Sequence, residues 1–299
     1  MNITITGISG FVGSNLAEYL SGRGMQVHGV SMRDQLWKNG LNGESDAIIH
    51  LAGKAHDTQH TADEADYFRV NRDLTIELFD WFLSSNVREF YYFSSVKAAA
   101  DQVTGALTED VIPNPQTPYG KSKLAAEQYL LSKDLPAGKR LFIIRPCMIH
   151  GPGNKGNLNL LFQVVKKGLP WPLAAFDNRR SFLSIGNLNA LLEQMLTRGV
   201  PSGVYHFADD QTISTNTVIQ IIGRITERPI KLWKIPRKLI SFAAKTGDVF
   251  GLPLNTERLQ KLTENYVVSN QKIKDLLEIE QLPLSAEEGL EITIKSFKS

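Results

Sequence analysis

Hydrophobic positions in the first half of the chain switch between two spacings. Residues 2–6, NITIT, place apolar β-branched side chains at every second position, the repeat of a strand. A glycine-rich turn follows, then SNLAEYL, which is spaced as a helix. GMQVHGV predicts a second strand around Val27 to Val30, and DAIIHLAG predicts another from Ala47 to Leu51. From about Asp63 to Ser84 the repeat is that of a long helix, with Phe68, Leu74, Leu78 and Phe79 as its apolar stripe. REFYYFSS reads as a strong strand. PYGKSKLAAEQYL reads as a helix opened by proline, and RLFIIRP as a buried strand ending at Pro146. Strands alternating with helices predict an α/β fold with a parallel sheet and helices on both faces.

After Pro146 the order loosens. GPGNKGN is a loop and LNLLFQVVKKG a helix; WPLAAF and RRSFLSIGNL then scatter aromatics and prolines. We expect a first domain over 1–150 and a smaller α+β part over 151–299. GVYHFA (203–208) is a strand that returns to the main sheet. The composition is that of a globular protein, 42% hydrophobic and 21% charged over 299 residues. A net charge of +2 implies no general attraction to nucleic acid or membrane. Cys147 is the only cysteine, so no internal disulfide forms. No apolar run reaches membrane-spanning length, and MNITITG lacks the pattern of a signal peptide, so a cytoplasmic location is expected. KLWKIPRKLISFAAK (231–245) is basic and partly amphipathic. It suits a membrane surface or a membrane-bound partner, but a domain helix with its apolar side buried is the preferred reading.

The glycine turn carries the first chemistry. Gly7, Ser9, Gly10, Phe11, Val12 and Gly13 lie in TGISGFVG, directly between a strand and a helix. Gly7 permits a tight turn, Gly10 lets the backbone approach a pyrophosphate, and Gly13 allows close helix–strand packing. The helix N-terminus adds free N–H groups and a positive dipole end. This is the pattern of a dinucleotide site in a doubly wound, Rossmann-type sheet. After the second strand stand Ser31, Met32 and Arg33, where a carboxylate would bind the ribose of NAD. Ser31 and Arg33 suit the extra phosphate of NADP, which favours NADP over NAD. Two alternatives stay open: Asp34 as a displaced ribose ligand, and Arg33 as a surface charge only.

Tyr119 and Lys123 raise a second question, because four residues on a helix put a phenol and an ammonium on one face. By themselves they are compatible with a packed tyrosine and a solvated lysine. In context, TGISGFVG, HLAG (50–53), Asn71 in FRVN, FSS (93–95), YGKSK (119–123) and RPCMIHGPG (145–153) form an ordered set. The set resembles the extended short-chain dehydrogenase/reductase family, in its nucleotide-sugar epimerase/dehydratase branch. That resemblance implies Tyr119 as acid/base, Lys123 beneath it and on the nicotinamide ribose, and Ser95 on the reacting oxygen, with Ser94 as the lesser candidate. A free phenol titrates near 10, and a neighbouring ammonium together with the positive nicotinamide ring is expected to bring it down. It also implies cofactor contacts from Leu51, Ala52, Gly53, Asn71 and Pro146. Asn157, Arg180 and Arg258 are its substrate diphosphate contacts, with Arg179 beside Arg180. A two-fold dimer pairing the 63–84 and Tyr119 helices is expected as well.

The chain departs from the family in places. Only DQLWKNGLNGES separates the second strand from DAIIHL, where the family usually has a further helix and strand. Ala98, Ala99 and Ala100 replace a bulkier run. Dehydratases of the family place Asp-Glu after the serine, whereas this chain has Val96 and Lys97. Neither protonates a leaving hydroxyl well, so dehydration is not expected. The expected activity is NAD(P)-dependent reduction of carbon 4 of a nucleotide-linked 4-keto sugar, with a UDP-sugar as substrate. A 4-epimerase is the alternative, and a non-catalytic NADP sensor or scaffold is the alternative of another class. His50, His56 and His60 do not make a metal site, and Cys147 reads as packing.

Overall fold

The computed structural model describes residues 1–54, 63–154, 156–252 and 254–298. The strands in chain order are β1 (Asn2–Thr6), β2 (Gln26–Val30), β3 (Ala47–His50), β4 (Glu89–Phe93), β5 (Ala106–Leu107) and β6 (Arg140–Pro146), followed by β7 (Met148–His150), β8 (Arg180–Ser184), β9 (Gly203–Phe207), β10 (Thr212–Ile213) and β11 (Val267–Val268). The helices are α1 (Phe11–Gly22), α2 (Glu64–Phe68), α3 (Leu74–Ser84), α4 (Pro118–Leu131), α5 (Asn157–Lys166) and α6 (Ile185–Arg198), then α7 (Thr215–Thr226), α8 (Arg237–Phe250), α9 (Thr256–Thr263), α10 (Gln271–Leu277) and α11 (Ala286–Ser296). Among the described residues, six parallel strands form the main sheet in the order β2-β1-β3-β4-β6-β9.

Alternation along each strand divides this sheet between two cores. Ile3, Ile5, Ile49, Tyr91, Phe142, Ile144 and Tyr205 face α1 and α6, meeting Leu16, Leu20, Leu188 and Leu191. Ile48, Phe90, Tyr92, Leu141 and Ile143 face α3 and α4, meeting Leu78, Phe79, Phe82, Ala126 and Leu130. Full burial of one such side chain contributes about 1.5–3 kcal/mol, so the two layers fix the sheet firmly. This is the doubly wound parallel sheet expected from the sequence. A third core holds α5, α7, α11 and part of α8, beside a small sheet of order β10-β8-β7. β9 pairs in parallel with β6, so the chain leaves the main sheet after Pro146 and re-enters it at Gly203.

Two local features matter for the site. The 63–84 helix is not uniform: a π-helical turn over Arg69–Asp73 separates α2 from α3. The extra residue rotates the buried stripe, so Tyr67, Asn71 and Thr75 are buried while Phe68 and Leu74 are only half-buried. At the other edge the sheet ends at β2, whose residues are largely exposed. Residues 31–46 connect β2 to β3 with a single 3₁₀ turn, and Trp37 from that turn is buried in the same core cluster as Val30 and Ile48.

α8 departs from the expected buried amphipathic helix. Ile240, Ala244 and Gly247 are buried, but Leu239 and Phe242 stay in solvent.

Candidate active site

The strands' C-terminal ends gather the predicted residues at one edge of the sheet, where open α/β sheets place their ligands. Gly7 takes φ +73, and a Cβ on it would lie 2.7 Å from the Ala52 amide nitrogen. A Cβ on Gly13 would come within 2.3 Å of the Gly7 carbonyl oxygen. The turn is therefore held flat against Leu51 and Ala52. Gly10 caps α1 without a side chain, which leaves the first helical N–H groups pointing outward. Phe11 reaches across to Gly151 and Gly153 beyond β6. A surface shaped this way fits a dinucleotide pyrophosphate.

Asn71 sits in the π turn, and π turns recur at functional sites because they turn one side chain out of helical register. Its Oδ1 accepts from the Lys54 amide (2.7 Å), and its Nδ2 donates to the Lys54 carbonyl (3.1 Å) and the Ser122 hydroxyl (3.0 Å). That clamp places Gly53 against Asn71 and against Nζ of Lys123. Lys123 is buried, not solvated. Its Nζ donates to the Phe93 carbonyl (2.8 Å) at the end of β4 and lies 4.9 Å from the centre of the Tyr92 ring.

Tyr119 is brought to Ser95 by the start of α4. Thr117 caps that helix, and the Asp101 carboxylate accepts from the Gln116 amide (2.5 Å) and from the Thr117 hydroxyl (3.2 Å). Gly120 lies against the Lys97 carbonyl oxygen, where a Cβ would come within 2.4 Å. The helix therefore begins directly on the turn that carries Ser95. The Ser95 hydroxyl lies close enough to the Tyr119 phenol to favour its ionised form, and the Tyr67 ring meets Tyr119 edge-on at 6.2 Å. Ser94 points elsewhere. Its hydroxyl donates to Glu127, which is paired with Arg145 in a fully buried network. Of the two serines only Ser95 shares the site with Tyr119.

Burial sets the charges here. Desolvation raises the Tyr119 phenol above its ordinary value, and the Ser95 hydroxyl only partly opposes this. The lowering expected from the sequence belongs to the site with a positive nicotinamide ring beside the phenol; in the protein alone, desolvation dominates. Desolvation lowers Lys123 to about 8, and Glu127 partly opposes that shift.

The other predicted residues divide into near and far groups. Arg180 opens β8 and donates to the Lys261 carbonyl of α9. Its backbone bridges to Tyr266, whose hydroxyl donates to the Ala100 carbonyl (2.6 Å), so Arg180 abuts the turn after Ser95. Arg179 is exposed and donates to Thr212. Arg258 is exposed on α9, one turn before Lys261. Asn157 opens α5, but its side chain lies outside the described residues, as do His56 and His60. Ser31 and Arg33 are exposed just past β2. The Asp34 carboxylate accepts from the Leu36 amide (2.9 Å), which binds it into its own turn. Pro146 ends β6 beside Phe207, and Cys147 is buried with its thiol pushed up by desolvation. His50 bridges the hydroxyls of Thr6 (2.6 Å) and Thr75 (2.9 Å).

Sequence reasoning passed over Lys54, Tyr67, Asp101 and Tyr266. Lys54 and Tyr67 meet only because the helix is interrupted by the π turn: the Lys54 ammonium lies 5.5 Å from the centre of the Tyr67 ring. Tyr266 receives the Lys97 ammonium 4.0 Å from its ring centre, a contact spanning most of the chain.

A Rossmann-type sheet with a glycine cradle, a buried lysine and a Ser–Tyr pair defines the short-chain dehydrogenase/reductase class. Residues 3–208 match the model of the NAD dependent epimerase/dehydratase family, and the chain belongs to that family. It is 26% identical to a UDP-glucose 4-epimerase of Vibrio cholerae, over 99% of this chain and 95% of that protein. It is 27% identical to a GDP-6-deoxy-D-mannose reductase of Pseudomonas aeruginosa, over 79% of this chain and 83% of that protein. Among solved structures, RMD from Pseudomonas aeruginosa complexed with NADPH superposes with TM-score 0.79 at 22% identity, covering all of both chains.

Proposed function

We propose that the protein reduces carbon 4 of a nucleotide-linked 4-keto sugar, with Ser95, Tyr119 and Lys123 as its working residues and a UDP-sugar as substrate. The observation that carries the choice of reductase is the sheet edge. The main sheet stops at β2, and residues 31–46 offer no further strand beyond it. The adenosine half of a dinucleotide thus meets few contacts, which favours rapid exchange. A reductase consumes one reduced cofactor per turnover and needs that exchange, whereas an epimerase must keep its cofactor.

A bound reduced nicotinamide supplies the hydride. Tyr119, kept protonated at neutral pH by burial, gives its phenolic proton to the carbonyl oxygen, which becomes the hydroxyl. Ser95 donates a hydrogen bond to the same oxygen as charge develops on it. Lys123 and Asn71 hold the ribose side of the site, and the glycine cradle takes the pyrophosphate. Ser31 and Arg33, with Asp34 bound into its own turn, support NADP over NAD. Arg180, Arg258 and Asn157 are the proposed diphosphate contacts. Val96 and Lys97 provide no carboxylic acid for dehydration.

The likeness to the Vibrio cholerae epimerase favours a second reading, a UDP-sugar 4-epimerase. Cofactor content after purification separates the two. We expect little bound cofactor and consumption of added NADPH or NADH with a UDP-4-keto-6-deoxy-sugar. Stoichiometric retained NAD, with interconversion of UDP-glucose and UDP-galactose or their N-acetyl forms without added cofactor, would decide for the epimerase. Absence of any nicotinamide turnover across such substrates would decide for a sensor.

A further inference from the structure

The outer face of α8 is built unlike the rest of the surface. Leu239, Phe242, Val249 and Phe250 are 60%, 71%, 78% and 72% exposed. At about 100° per residue they fall within an arc of about 100°, so they form one continuous stripe. Ile240, Ala244 and Gly247 lie on the far side and pack inward. Gly247 sits so close to the Leu254 carbonyl that a Cβ would overlap it, and Asp248 accepts from the Thr256 amide (3.0 Å). The helix is thus locked to α9 with its apolar stripe turned outward.

Charge lies directly beside the stripe. Residues 231–245 contain Lys231, Lys234, Arg237, Lys238 and Lys245 and no acidic residue. Arg237 is held by the Ala175 carbonyl (3.0 Å) and the Phe176 ring. Among the described residues, Lys231, Lys234, Lys238 and Lys245 have no ion-pair partner. Lys238, Ser241, Phe242 and Lys245 line one shallow depression along the helix. Trp233, 51% exposed, precedes the helix.

We propose that this face of α8 rests on an anionic membrane surface. An apolar stripe flanked by lysines is the arrangement in which side chains enter the headgroup boundary while ammonium groups meet lipid phosphates. A two-fold contact between copies would set this uncompensated positive charge against itself, which disfavours self-pairing. The chain's small net charge does not weaken the case, because the positive charge is local. The proposal is independent of which sugar the site accepts.

Co-sedimentation of the full chain with lipid vesicles tests it. We expect binding to phosphatidylcholine vesicles that contain phosphatidylglycerol, weak binding to phosphatidylcholine alone, and loss of binding as salt rises. The double variant Phe242→Glu with Val249→Glu should weaken binding roughly tenfold or more, because both side chains must leave the headgroup boundary. Lys238→Glu with Lys245→Glu should abolish the preference for anionic lipid. All four positions are exposed, so far-UV circular dichroism and the thermal midpoint should not change. No binding to anionic vesicles by the parent, or binding by both variants as tight as the parent's, overturns the proposal. A dimer of the parent chain that the Phe242→Glu, Val249→Glu variant dissociates, without vesicle binding by either, overturns it in favour of an interface between copies.

Discussion

Ser94 and Ser95 are adjacent and chemically identical, yet they have unrelated neighbours, so replacing each in turn is a sharp test of the proposed role of Ser95. Ser95→Ala removes the hydroxyl that neighbours the Tyr119 phenol. A single donor aimed at a developing oxyanion contributes about 2.7–4 kcal/mol, so turnover should fall roughly 10²–10³-fold. The fold should barely respond, because Ser95 otherwise only caps a short 3₁₀ turn through the Lys97 amide (3.2 Å). Ser94→Ala instead leaves Glu127 short of a donor inside a network that is 1–5% exposed. Losing a hydrogen bond to a buried charge costs about 1–3 kcal/mol. For a chain of this size that lowers the melting midpoint by roughly 2–5 °C. Turnover at a temperature where both variants are folded should stay within a few-fold of the parent. Single-turnover oxidation of NADPH and thermal unfolding, measured on both variants, give four numbers. If Ser94→Ala abolishes turnover without loss of stability while Ser95→Ala remains active, the assignment of the two serines is wrong.

Further predictions concern the same site and its frame. Tyr119→Phe should bind NADPH nearly normally, by fluorescence titration, while turnover drops by orders of magnitude; near-parental turnover would remove Tyr119 as the acid. Arg33→Ala should weaken NADP binding much more than NAD binding, and equal losses would remove the case for NADP. Burial lowers His50 to about 3 and His206 to about 4, against an unfolded value near 6.5. The unfolded chain therefore binds protons that the folded chain refuses between those values. Stability is complete above about 6.5 and falls as pH drops, by up to about 2 kcal/mol for each histidine at pH 5. Denaturant titrations at pH 7 and pH 5 check this, and unchanged midpoints would contradict it. A two-fold dimer through α3 and α4 should appear in sedimentation, and a monomer at high concentration would exclude it.

The main sheet was readable because parallel strands covered on both faces are short apolar runs, as in REFYYFSS and RLFIIRP. Tyr119 and Lys123 were readable because helical spacing is rigid, and a four-residue separation leaves little freedom. The π turn was not readable, since one inserted residue leaves no mark on composition yet carries Asn71 into the interior and shifts the stripe away from Phe68. The raised phenol was also hidden. Its direction depends on how much water burial removes, which no local spacing reports. Arg180 was identifiable by motif, but its route to the site through Tyr266 depends on a long-range bridge. The outward face of α8 escaped for the converse reason, because periodicity reveals an apolar stripe without telling which side of a helix the protein covers.

The return of the chain at β9 has a consequence for synthesis on the ribosome. When Pro146 emerges, β6 is an open edge, and its eventual neighbour is not yet made. Elongation at about 5–20 residues per second leaves that edge unpaired for roughly 3–11 s before Gly203 follows. Over that interval Phe142 and Ile144 lack α6 and Tyr205, the partners that later cover them. Unpaired apolar edges are templates for wrong pairing. The nascent chain is thus most exposed to misassembly and to chaperone capture while residues 147–202 are being added, and a nascent fragment stopped at residue 150 would expose the same edge indefinitely.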